Sequence, residues 1–156
     1  MVQNKTLGQQ LASTTKVWRH VLDARLQPLG LSQAKWLCLL ELIRADEELT
    51  QSELAQRLGI EPATLVRLLD RLEAHGWVVR QADIHDRRSK RIRLTERSRA
   101  IAIKVQQTAD DLRVELVRGI PAEDMAICSQ VLSMIDQRAR ILLSPGTDLL
   151  ADEGEQ

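Results

Sequence analysis

TQSELAQRLGIEPATLVRLLDRLEAHGWVVRQADIHDRRSKRIRL, residues Thr50 to Leu94, is the stretch whose reading decides the fold. Thr50 and Glu53 have the spacing of a capping box, in which each side chain satisfies a free amide of the first helical turn. The short helix that follows places Ser52, Glu53 and Gln56 outward and Leu54, Ala55 and Leu58 inward, and Gly59 supplies a left-handed stop. Pro62 suits the first position of a new helix, where its missing N–H costs nothing. Two helices joined this tightly cross at a large angle. On the second, Leu65, Leu69 and Leu72 share one buried stripe, while at about 100° per residue Ala63, Thr64, Arg67, Arg71 and Ala74 gather on the opposite face. Past Gly76, Trp77–Arg80 and Arg91–Leu94 are strand-like, with Ile92 and Leu94 inward. Between them, QADIHDRRSK has neither Gly nor Pro for a two-residue turn, so the hairpin should have an extended tip. Helix, tight turn, helix, strand, basic loop, strand is the order of a winged helix-turn-helix.

That order points to DNA. Arg67 and Arg71 stand between small residues, and an arginine fork can take guanine O6 and N7 together in the major groove. The same face also suits an ordinary solvated helix. From Arg80 to Arg93 there are six basic residues against Asp83 and Asp86, a formal +4. A basic hairpin beside a recognition helix meets the needs of a second contact, to phosphates and the minor groove. The competing reading is a winged helix that binds protein, which has no need for both a basic wing and a small-residue helix face.

These residues also carry a resemblance. DRRSKRIRLTE (Asp86–Glu96) is very similar to the wing of the multiple-antibiotic-resistance (MarR) family of bacterial regulators, and EPATLVRLLDRLEAHGWVVR resembles that family's recognition helix and following strand. W-R-x-x-L-D-x-R-L-x-P-L, Trp18 to Leu29, most resembles the SlyA-like branch, and the likeness runs from about Leu7 to Leu143. It implies a homodimer built from the N- and C-terminal helices. Arg88 would sit at the wing tip in the minor groove with Asp86 orienting it. Pro62, Ala63, Thr64 and Arg67 would lie against the major groove. Ser52 and Arg71 complete the helical part of the expected DNA surface, and Arg87 and Lys90 would mainly meet phosphates. The family also implies a small phenolic or aromatic carboxylate ligand where the dimer helices meet the reading lobe. Lys16, Arg19, Ser32 and Trp36 are the candidates there, although Trp36 also reads as core and Arg19 can pair with Asp23 one turn on.

The rest of the chain divides around this stretch. With 156 residues, 44% of them apolar, it can bury a core, and its formal net charge of zero neither favours nor excludes DNA. The expected fold is mainly α with a small β wing. Residues 1–31 form an N-terminal dimerisation helix, 32–94 the winged reading lobe, 95–143 C-terminal dimerisation helices and 144–156 a flexible acidic tail. The first helix should run from about Leu7 to Pro28, and the second, from a Ser32 cap to Ala45, is apolar on most sides and should be buried. Thr95 can cap a helix to about Val117 with Ile101, Val105, Thr108, Leu112 and Leu116 on one stripe. A last helix, reaching about Leu143, repeats Met125, Cys128, Val131, Leu132, Ile135, Ala139 and Leu142. The tail SPGTDLLADEGEQ reads as a solvated end, or as a segment that folds back on the basic wing.

Enzyme readings fare poorly. His20, His75 and His85 are scattered, without metal or triad spacing, and no Gly-rich phosphate loop is present; no cofactor is expected. Cys38 and Cys128 sit in apolar helical patterns, as inert residues or as a redox-sensing thiol. Family members that sense peroxide surround a cysteine with tyrosines, and this chain has no tyrosine. Neither a secretory leader nor a membrane span is legible, so a cytoplasmic protein is expected.

Overall fold

The computed structural model describes residues 5–45, 47–84, 86 and 88–143. Helix α1 (Leu7–Leu26) opens on a capping box that hydrophobic periodicity does not reveal: the Gln9 N–H donates to Thr6 Oγ1, and the Thr6 N–H donates to Gln9 Oε1. A single 3-10 turn over Gln27–Leu29, carrying Pro28, ends it. Helix α2 (Gln33–Arg44) follows with Ser32 at its N-cap position; the Ser32 hydroxyl makes no capping hydrogen bond, so that expected cap is positional only.

The apolar run of α2 is divided between two cores. Trp36, Leu39 and Leu40 pack with Leu22 and Leu26 of α1 and with Ala102, Val105, Ala109 and Leu112 of α5 (Glu96–Leu116). Trp18 and Trp77 lie partly buried against the same cluster. Cys38 instead joins Leu49, Leu54, Leu65, Leu69, Leu72, Val78 and Ile92 in the core of the winged region. The buried side of α5 therefore differs from the expected stripe. Leu116 is exposed, Ile101 and Thr108 are half-buried, and two alanines, Ala102 and Ala109, are buried instead. A periodicity that weighs large side chains overlooks alanine, the residue that lets helix backbones approach.

The winged region begins one element earlier than the sequence pattern suggests. Leu49–Thr50 form a two-residue strand, β1, too short for alternation to register, paired antiparallel with β3 (Lys90–Leu94) so that Leu49 stands opposite Ile92. β2 (Val78–Ala82) flanks the other side, giving the order β1-β3-β2 and making β2 an edge strand. Helix α3 (Gln51–Leu58) has the expected capping box: the Glu53 N–H donates to Thr50 Oγ1, and the Thr50 N–H donates to Glu53 Oε2 at 2.7 Å. The Thr50 N–H first, and then the Thr50 hydroxyl, which also donates to Oε2, hold the Glu53 carboxyl below the usual carboxylate range. Gly59, at φ 64°, ends α3, and α4 (Pro62–Ala74) starts with Pro62 in its first turn. Gly76, at φ 71°, turns the chain so that the Trp77 N–H donates to Leu72 O and closes α4; the ladder consequently begins at Val78 rather than Trp77.

Thr95 caps α5 as expected, accepting from the Ser98 N–H, and its own hydroxyl donates to Gly76 O. Ser98 is fully buried and its hydroxyl donates to Trp77 O at 2.5 Å. The described residues up to Leu116 form one compact unit and those from Val117 to Leu143 another. In the second, α6 (Ala122–Leu143) follows Pro121, whose carbonyl accepts from the Met125 N–H, and an Arg140–Asp136 pair spans one turn. No helix among the described residues is long and apolar enough to cross a membrane.

Leu69 is 0% exposed, so Leu69→Ala should cost about 2–5 kcal/mol in urea unfolding. Thr50→Ala should cost about 1 kcal/mol. Because the Glu53 pKa is depressed by folding, its contribution is present above the ordinary carboxylate range and lost as pH falls through the lowered value. The gap between parent and Thr50→Ala, which removes the hydroxyl bond to the carboxylate, should accordingly narrow in acid, and a gap independent of pH would show that the hydroxyl does not hold the carboxylate.

Candidate nucleic-acid interface

Helix α4 turns Leu65, Leu68, Leu69 and Leu72 inward, which leaves Pro62, Ala63, Thr64, Arg67 and Arg71 on its exposed side. Ser52, at the second position of α3, is exposed as well. Neither Arg67 nor Arg71 is in an ion pair among the described residues, so both guanidinium groups are available to an anion.

The wing is different, and its charge corrects the expected +4 footprint. Arg80 Nη2 lies 2.6 Å from both Asp70 Oδ1 and Glu73 Oε2. Arg91 Nε is 2.7 Å from Asp83 Oδ2, and Arg91 Nη1 donates to Glu48 O at 2.5 Å. Arg93 pairs with the Glu48 carboxylate. Three of the six basic residues are thus committed to acidic groups of the same chain. Glu48 lies beside β1, more than 40 residues from its arginine partners, so no local spacing announces the arrangement. Arg88 and Lys90 are exposed, outside any ion pair among the described residues. Arg87, with His85, lies outside the described residues, as does the acidic tail.

Residues 83–89 connect the two strands, as the extended tip requires. The Asp83 N–H donates to Ser89 O and the Ser89 N–H to Asp86 O. Asp86 Oδ1 accepts from the backbone N–H of Arg88 at 2.9 Å, so Asp86 fixes the turn that presents Arg88.

The four ligand candidates are not brought to one cleft. Lys16 and Arg19 are exposed on α1. Trp36 is 1% exposed, and its Nε1–H donates to Asp23 Oδ1 at 2.9 Å, engaging the carboxylate that helical spacing offers to Arg19. Ser32 lines a cleft of about 280 Å³ with Lys35, Arg71, Leu72, His75 and Trp77. There Lys35 Nζ lies 3.4 Å from the centroid of the Trp77 ring, and burial, then the charge of Arg97, lowers the Lys35 pKa. Lys35 and Trp77 are far apart in sequence, and periodicity had no means of pairing them.

A family model described as the MarR family matches residues 29–89. The transcriptional regulator PA3341, known from its crystal structure, is 44% identical over 86% of this chain and 98% of its own, with a TM-score of 0.81. The chain belongs to the MarR family. Apo MarR from E. coli is 28% identical, covering 85% of this chain and 98% of its own at a TM-score of 0.67. SlyA, at 16% identity, covers 86% of this chain and 94% of its own at a TM-score of 0.75, a likeness of fold alone. MarR-family proteins are transcriptional regulators, and the family model spans α2, α3, α4 and β2 of this member, ending before β3.

Cys38 of this MarR-family chain is fully buried, and burial, reinforced by Glu41, pushes its thiol up to about 12. At pH 8 it should stay unmodified by a thiol reagent until the protein unfolds. Modification of Cys38 in the native protein, mapped by mass spectrometry, would remove the inert assignment.

Proposed function

We propose that this protein is a homodimeric, sequence-specific DNA-binding regulator that lays α4 in the major groove and its wing in the minor groove of a pseudo-palindromic operator. One observation carries the reading: unpaired Arg67 and Arg71 on a face of small residues, beside a wing whose exposed Arg88 and Lys90 stay outside the ion pairs that occupy its other described arginines. A protein-binding winged helix has no use for that selective sparing of cations. Dimerisation is supported by exposed apolar side chains on α1 and α6, among them Val17, Ile127, Val131 and Leu142. A two-fold dimer sets two recognition helices one DNA turn apart. The Trp18–Leu29 motif favours the SlyA-like branch.

A small aromatic carboxylate is the effector this reading favours. The cleft walled by Ser32, Lys35, Arg71, His75 and Trp77 supports it better than the Lys16, Arg19 and Trp36 set, because it joins cationic groups to an indole. Salicylate should lower operator affinity in the parent and not in Lys35→Ala; equal effects on both would exclude this cleft.

Anisotropy of labelled DNA from upstream of the protein's own gene, with a shuffled control, tests the reading. Binding that survives near-physiological salt only for the promoter is the expected result, whereas equal, salt-labile binding to both would reduce it to a basic surface. Arg88→Ala should cost about 1–3 kcal/mol of operator affinity, while Lys90→Ala should weaken all sequences alike and flatten the salt slope by about one. Parental affinity in Arg88→Ala would refute the wing assignment.

A further inference from the structure

Arg80 sits on β2, the edge strand of the wing, where Val79, Gln81 and Ala82 around it are exposed. Its own side chain is only 16% exposed, because two carboxylates of α4 enclose the guanidinium. Nε donates to Glu73 Oε2 at 2.9 Å, and Nη2 donates to Glu73 Oε2 and to Asp70 Oδ1, each at 2.6 Å. The backbone N–H of Arg80 donates to Glu73 Oε1 at 3.0 Å. Asp70 and Glu73 are three residues apart and so share a helix face. That face begins one residue turn beyond Arg67. Glu73 thus bonds both the main chain and the side chain of one residue, and it satisfies an amide that an edge strand leaves without a ladder partner.

A rigid planar fork gripped at several points transmits orientation, which a single flexible cation cannot do. We propose that Arg80 is a positioning residue that locks the wing to α4, setting how Arg88 and Lys90 reach a duplex relative to Thr64 and Arg67, while making no DNA contact itself. This rests on the DNA-binding reading above. The charge count agrees: with Arg80 facing Asp70 and Glu73, the three groups together carry no positive charge to offer a phosphate. Removing the guanidinium would both free the hinge between helix and strand and leave two carboxylates uncompensated beside the recognition face. A lysine restores the charge without the fork, so it separates these effects.

The test compares the full-length parent with Arg80→Gln and Arg80→Lys by operator binding across a salt series and by amide hydrogen exchange. Both variants should lose about tenfold in operator affinity, the scale of a lost charge-assisted fork, with Arg80→Lys recovering little. The slope of log affinity against log salt should equal the parent's. Exchange should quicken at the amide of residue 80 and at Gln81 and Arg91 while the amides of α5 keep their protection. A slope reduced by about 0.9 would make Arg80 a phosphate contact and overturn the proposal. Parental affinity in Arg80→Lys would also overturn it, by reducing the role to charge. Should Arg80→Gln fail to fold, Arg80→Lys decides. If the parent binds no operator, the DNA reading fails on its own account, and hydrogen exchange alone decides whether Arg80 locks the hairpin.

Discussion

Trp77 is where the reading lobe and the helical core become one body. Its N–H ends α4 on Leu72, its carbonyl receives the Thr95 N–H and the buried Ser98 hydroxyl, and its ring packs against both clusters beneath the Lys35 ammonium. These bonds tie the end of α4 and the start of α5 to the residue that leads into β2. A shift of α5 therefore cannot leave the wing strands untouched. Two sites communicate only through an element that both of them bias, and Trp77 is bonded both to the helices and to the winged region.

The distribution of arginines on the wing has a related logic. Arg80, Arg91 and Arg93 are held by Glu73, Asp83 and Glu48, which lie respectively on α4, in the hairpin tip and beside β1. The hairpin is thereby tied on its α4 side and on its β1 side, and its exposed Lys90 and Arg88 project from a braced support. The Arg93–Glu48 pair is exposed and contributes little to stability. In the proposed DNA-binding reading the value of the three pairs lies in geometry, since a flexible hairpin must lose its freedom on binding and forfeits affinity in doing so.

Much of this was legible in the sequence, for local reasons. The Thr50–Glu53 box, Gly59, Pro62 and the leucine stripe of α4 are decided by neighbours within one or two turns, and each element lies where its residues place it. Exposed positions on α4 followed directly from the period. What escaped is non-local or too small to be periodic. β1 consists of two residues, and only Arg91 and Ile92, more than 40 positions later, make it a strand. The alanines of α5 contribute little hydrophobicity to the pattern but are buried in the same cluster as α2. The basic count of the wing was correct as chemistry and misleading as electrostatics, because partners such as Glu48 are brought in by the sheet.

The chain contains neither tyrosine nor phenylalanine, and its three tryptophans, Trp18, Trp36 and Trp77, all belong to or pack against a single core cluster. Its ultraviolet emission and near-ultraviolet dichroism consequently arise almost wholly from one place, the meeting of α1, α2 and α5 with the start of β2. Trp36 is enclosed there, and Trp77 lies at the edge beside a cation. The protein thus has a built-in optical gauge at its own junction. Any rearrangement between the helical core and the wing enters its spectrum without a label, while events confined to the wing tip leave that spectrum silent.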